Sequence, residues 1–154
     1  MGHRYIREIS LKPTEVEDPI DDIIATGGDL ARHAKNLLVG EEQRYFLILL
    51  DDNFYSIATI LLGIDINPNA IEPRHFWAPI TRFDAPRFAV LTNHKEDPTP
   101  SGTELDFCTR LSAEAAVLET NLSHFVIVAG ASFWSASQAK LTGFIRSIPS
   151  RPSY

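Results

Sequence analysis

One cysteine in 154 residues, Cys108, has no partner within the chain, which excludes an internal disulfide and a cysteine-based zinc cluster. Such sparing use of cysteine fits a reducing compartment, and the expected location is the cytoplasm. Long apolar runs are also missing. The longest, YFLILL from Tyr45 to Leu50, falls far short of the roughly 20 residues that span a bilayer. The opening MGHRYIREIS lacks the apolar stretch of a signal peptide. Ile6 stands where a myristoylation motif carries Ser or Thr. No membrane association is expected. Positive charge is in deficit too: 14 Lys and Arg against 20 Asp and Glu give a net charge of -6. Affinity for nucleic acid comes mainly from cations that neutralise phosphates, so a broad nucleic-acid surface is not expected. Repeats and low-complexity tracts are absent.

What remains is the make-up of an ordinary globular domain, with 44% hydrophobic and 22% charged residues. Residues 12–27 are acidic and marked by proline, with room for a short helix at most. Asp29 is placed to cap a helix through LARHAKNLL, in which Leu30, Ala34, Leu37 and Leu38 share a face and Gly40 suits the C′ position. The run YFLILLDDNFYSIATILLG reads as a hairpin, with a first strand buried on both faces and a turn at Asp51-Asp52-Asn53. Pro73 fits the first turn of a helix through PRHFWAPITRF, with Phe76, Ile80 and Phe83 on one face and Pro79 expected to kink or shorten it. RFAVLT is a third strand. TELDFCTRLSAEAAVLE is the clearest helix, with Leu105, Cys108, Leu111, Ala115 and Leu118 at helical spacing. HFVIVAG and SFWSA follow as strands, SQAKLTGFIRSI as a closing helix, and PSRPSY as a loose tail. This order predicts a three-layer α-β-α sandwich around one central mixed sheet. The strands containing YFLILL, RFAVLT and HFVIVA should lie at its centre.

Chemistry is expected where RFAVLT runs into Asn93-His94, because ligands of α/β sheets collect at the carboxyl ends of strands. The series YFLILLDDN…ILLGIDINPNAIEPRHF…FAVLTNHKEDPTPSGTELDF…SHFVIVAG…FWSAS resembles the RadC-type branch of the JAB/MPN (JAMM) metalloprotein domain, over roughly residues 42–142. The resemblance implies a cytidine-deaminase-like sandwich and divides the chain into an N-terminal helical extension (1–41), the domain (42–148) and a tail (149–154). Active members of that family hold one zinc with two histidines and an aspartate. A glutamate on the first strand acts as general base, and a serine helps stabilise the oxyanion. Three protein ligands leave an open zinc position whose bound water ionises near neutral pH.

Carried over position by position, the second histidine is His94 and the first is Thr92, a poor zinc ligand. The serine is Ser101, the aspartate is Glu104, and the base is Gln43, whose amide cannot take a proton from water. Glu42 stands beside Gln43, but neighbouring strand residues face opposite ways. Asp97, Asp106 and Glu96 are close enough in sequence to build an improvised cation site with His94. Ser101-Gly-Thr-Glu104 is also a capping box, and Thr103-x-x-Asp106 is a competing one. The expectation is a degenerate metal site with no resident cofactor, zinc being the metal if any is held. The function expected is that of a silent JAB/MPN domain working through protein contacts, as a homo-oligomer or with a partner subunit. A JAMM-type zinc peptidase or isopeptidase with a rearranged site is the alternative, and an accessory role in DNA maintenance a second. Cys108 and the aromatic clusters HFW and SFW are expected in the core.

Overall fold

The computed structural model describes residues 14–15, 23–38, 40–136 and 145–147. Seven strands form one mixed sheet: β1 (Thr14–Glu15), β2 (Arg44–Leu50), β3 (Ser56–Ile64), β4 (Arg87–Asn93), β5 (Asn121–Ala129), β6 (Ser132–Ser135) and β7 (Ile145–Ser147). Their order across the sheet is β1-β3-β2-β4-β5-β6-β7, so β2, β4 and β5 are central. β4 and β5 are parallel and every other pair is antiparallel. The parallel pair needs a crossover, which α3 (Gly102–Val117) supplies.

Alternation along β2 builds both cores at once. Tyr45, Leu47 and Leu49 face α2 (Pro73–Arg82) and α3, among Phe76, Ile80, Phe107, Cys108 and Leu111. Phe46, Ile48 and Leu50 face the other way, against Leu30, Ala31 and Ala34 of α1 (Gly27–His33) and the 3₁₀ turn that extends it. Helices therefore cover both faces, giving the three-layer sandwich. Phe107 lies at the centre of the first core, with its ring centroid 5.4 Å from Phe76, 5.9 Å from Phe125 and 6.3 Å from Tyr45. Cys108, Phe133 and Trp134 are buried as expected, and burial pushes the Cys108 thiol up to about 11. None of the described helices is long and apolar enough to cross a membrane.

Several local expectations change. The cap of α1 is Thr26, not Asp29. The Thr26 hydroxyl accepts from Asp29 N–H at 3.0 Å, while the Asp29 carboxylate accepts from Thr26 N–H at 3.1 Å, so Asp29 is the returning arm of a capping box. Gly40 has the left-handed φ of +90° that suits glycine, but it lies beyond the helix end rather than at C′. α2 runs through Pro79 to Arg82. In the acidic N-terminal stretch, Thr14–Glu15 is an edge strand and Ile23 bridges to Tyr55. The closing helix is corrected at 145–147, which pair with β6 as a strand. Residues 137–144 and the tail lie outside the described residues.

Candidate functional site

β4 ends at Asn93, and His94 N–H donates to the Val128 carbonyl of β5 at 2.9 Å, which holds the next side chain over the carboxyl end of the sheet. Opposite it, α3 opens on its capping box. Ser101 Oγ accepts from Glu104 N–H at 3.1 Å, and the Glu104 carboxylate accepts from Ser101 N–H at 2.9 Å. Ser101 is thus the cap, and Thr103-x-x-Asp106 is not used. The box turns Glu104, only 4% exposed, inward under the strand ends.

There Glu104 meets three side chains. His94 Nε2 lies 2.8 Å from Oε2 and 3.0 Å from Oε1. Tyr45 O–H donates to Oε2 at 3.1 Å. Gln43 Nε2 is 3.4 Å from the same oxygen, a longer and weaker contact. Ser101 N–H, Tyr45 O–H and the Gln43 amide each donate toward the carboxylate, which favours its ionised form. Burial works against that charge, but hydrogen bonds from His94 and Ser101 outweigh it and hold the carboxyl below its usual value.

The other ring nitrogen of His94 fixes one of its protons. Nδ1 lies 2.8 Å from the Asp97 carbonyl oxygen, which can only accept, so Nδ1 carries a proton. Nε2 faces the Glu104 carboxylate, which favours a second proton there. The hydrogen bond to Glu104 raises the His94 pKa against the opposing effect of burial, so the pair favours the imidazolium form. The loop that supplies the carbonyl is fixed by Asp97, whose carboxylate accepts from Thr99 N–H at 2.9 Å and Thr99 O–H at 2.7 Å. Those bonds hold the Asp97 carboxyl below its usual range.

Thr92 and Tyr45 are cross-strand partners on the same face of the sheet. Thr92 is fully buried, and its hydroxyl lies close to the Tyr45 phenol but makes no hydrogen bond of good geometry. Burial first, then the Glu104 charge, raises the Tyr45 pKa. Gln43, two residues before Tyr45, shares its face and lines the cleft. Glu42 points elsewhere and pairs with Arg44 at 3.1 Å, as the alternation of a strand requires. Asp106 is exposed two residues beyond Glu104, outside the cleft lining. Glu96 is likewise exposed and outside it.

The cleft above the pair has a volume of about 540 Å³. Its rim includes Glu41, Asp65, Asn67, Lys95 and Thr103. A second cleft of about 530 Å³ shares Glu41, Asn93, His94 and Lys95 and opens on the α1 side. Reading along the chain missed Tyr45, although its spacing of two from Gln43 on a strand signals a shared face. Asp65 and Asn67 were missed as well, and they follow β3 directly.

The zinc implied by the family resemblance does not fit these residues. Thr92 offers a buried hydroxyl, Gln43 offers an amide, and His94 Nε2 is taken up by Glu104. Among the described residues no group of three His, Cys, Asp or Glu side chains could hold a metal ion. The arrangement instead closes a cation and an anion onto each other. No known family model and no curated protein matches the chain.

Proposed function

We propose that the chain is a catalytically silent RadC-like JAB/MPN domain that acts through protein contacts at the carboxyl end of its sheet. The observation behind this reading is the His94–Glu104 pair: at the position that the resemblance gives to the metal, the two side chains bond to each other, and among the described residues no third His, Cys, Asp or Glu joins them. The pair keeps the charge complementarity of a metal centre, cation against carboxylate, without an open coordination position. Gln43 supports the same reading, because an amide in the base position cannot take a proton from water. Around the pair, the rim side chains Glu41, Lys95 and Thr103 face solvent and remain available to a polypeptide partner.

Metal content and turnover test this reading together. Protein purified without added metal is expected to carry far less than one zinc per chain and to cleave neither peptide nor isopeptide bonds. Close to one zinc per chain, lost in His94→Ala, with turnover abolished by a chelator, would establish the zinc hydrolase instead. The contact role is tested by light scattering on the purified chain and by partner capture compared between wild type and a Glu41→Lys, Lys95→Glu variant. A partner or self-association indifferent to both changes would place the contact surface elsewhere.

A further inference from the structure

At the far end of the sheet from His94, where β4 and β5 begin, lies a separate cleft of about 350 Å³. Arg87 opens β4, and Asn121, Ser123 and His124 come from the start of β5. Thr26 and Phe54 close the other sides. Two of these side chains lack the partners that their chemistry calls for.

Arg87 is half-buried, and its guanidinium carbon sits 4.3 Å from the centroid of the Phe54 ring. It forms no ion pair with any described residue, and its Nε is a buried donor without an acceptor. Arg32, Arg44, Arg74 and Arg110 each lie against a carboxylate by contrast. His124 is 5% exposed. Its Nε2 lies 3.1 Å from the Ile24 carbonyl oxygen, which only accepts, so Nε2 carries a proton. Burial lowers the pKa of the ring. Nδ1 of the neutral ring is then an acceptor, and it has no partner.

Buried polar groups in folded proteins are almost always hydrogen-bonded, so two orphans in one lining are an exception that a bound group would account for. The same lining offers a forked cation and a lone pair that needs a hydrogen. A carboxylate or a sulfate satisfies only the first. A phosphate group that retains a proton satisfies both. Its charged oxygens accept from the guanidinium, whose fork matches them, and its P–OH donates to Nδ1. The geometry points to a binding site for a phosphate group, free or as a monoester, held between Arg87 and His124. Asp29 is the acid felt at His124, and its charge is met by Arg32 at 2.6 Å and by the N–H groups of Ala25 and Thr26. Arg87 is thereby the uncompensated charge in the lining among the described residues.

The test follows the ring nitrogen signals of His124 in the full chain, in phosphate-free buffer at pH 6. A phosphate monoester, with a second pKa of about 6, keeps its proton there about half the time. Inorganic phosphate, sulfate and phenyl phosphate are titrated separately. The expected result is a saturable shift of Nδ1 with phosphate or its ester and at least tenfold weaker binding of sulfate, which has no proton to donate. Arg87→Gln is expected to weaken binding at least tenfold, with unchanged His94 signals as the check on its fold. Tighter binding of phenyl phosphate than of phosphate assigns the site to monoesters, and the reverse assigns it to the free ion. No saturable shift of wild-type His124 with either ligand overturns the proposal. Sulfate binding as tightly as phosphate does so as well, and neither outcome depends on the variant folding.

Discussion

Glu104 is the side chain on which the cleft depends, because one carboxylate completes the capping box of α3, binds His94 and accepts from Tyr45. Replacing it with Gln keeps the shape but leaves a half-buried imidazolium without its counter-ion. Breaking a buried pair in this way costs about 3–5 kcal/mol when both charges are fully buried, and His94 is partly exposed, so roughly 3 kcal/mol is expected. For a chain of this length that corresponds to a fall in melting temperature of roughly 6–12 °C in calorimetry. Loss of less than 2 °C would show that the pair contributes little.

The same pair sets a pH dependence whose sign can be worked out. His94 has a raised folded pKa, so its contribution is complete below its ordinary value of 6.5 and is lost as pH rises through the folded value. Glu104 has a lowered one, so its contribution is present above 4.5 and is lost as pH falls through the folded value. Between 4.5 and 6.5 both contributions are complete. His124 runs the other way: its folded pKa is depressed, so its contribution is present above 6.5 and fades as pH falls. Urea unfolding from pH 5 to 9 is therefore expected to show stability rising toward pH 6.5 as the His124 contribution completes and falling above it as the His94 contribution is lost. In His94→Gln the fall above pH 6.5 should disappear while the rise toward 6.5 remains, because only the His124 contribution is left. An unchanged slope in that variant would contradict the assignment of the imidazolium.

The elements show why some of this was legible from the amino-acid order and some was not. Ser101-x-x-Glu104 ahead of an amphipathic run is a local signal, and the helix starts there. The three central strands declared themselves through continuous apolar runs, since a strand buried on both faces has no polar side to show. The cap at Thr26 was missed because Thr26 and Asp29 each satisfy a capping rule, and only the reciprocal bonds distinguish the two arms. β7 was missed because a three-residue edge strand carries no period to detect. His94 and Glu104 could be named as a possible pair of ligands from their order in the chain, but not as partners of each other. That contact joins a strand end to a helix start, and the Asp97 carbonyl that fixes the tautomer is a backbone atom.

Packing between elements gives a further test. A Cβ added to Gly27 of α1 would come within 2.7 Å of the Ser135 Cβ on β6, closer than real Cβ atoms approach. Gly27→Ala is expected to destabilise by about 1–3 kcal/mol, as overpacking does. Gly102→Ala on α3, where the added atom meets open space, should be neutral or stabilising by about 0.5–1 kcal/mol. Chemical denaturation of the two variants side by side checks the contrast, and equal effects would refute the close approach of α1 to β6.

At the scale of the molecule, the sandwich has two ends, and the carboxyl end of β4 carries a closed ion pair where the JAB/MPN resemblance places a metal. Refitting a metal would take more than new ligands. Thr92→His with Glu104→Asp supplies donors, but Tyr45 lies across the strand from Thr92 and both are buried, so a larger side chain there meets the phenol. Zinc binding by calorimetry is expected only when Tyr45→Leu is added, and hydrolysis only with Gln43→Glu as well, since general acid–base catalysis contributes about 10²–10⁴-fold. Tight zinc binding by the double variant alone would show that Tyr45 moves freely.

The most direct measurement is the protonation of His94 itself, read from its two ring nitrogen signals at pH 7 with and without one equivalent of zinc. The structure predicts that both nitrogens are protonated and that zinc leaves them unchanged. A nitrogen carrying a lone pair, or a zinc-induced shift reversed by a chelator, would contradict the closed pair and return His94 to the role of a metal ligand.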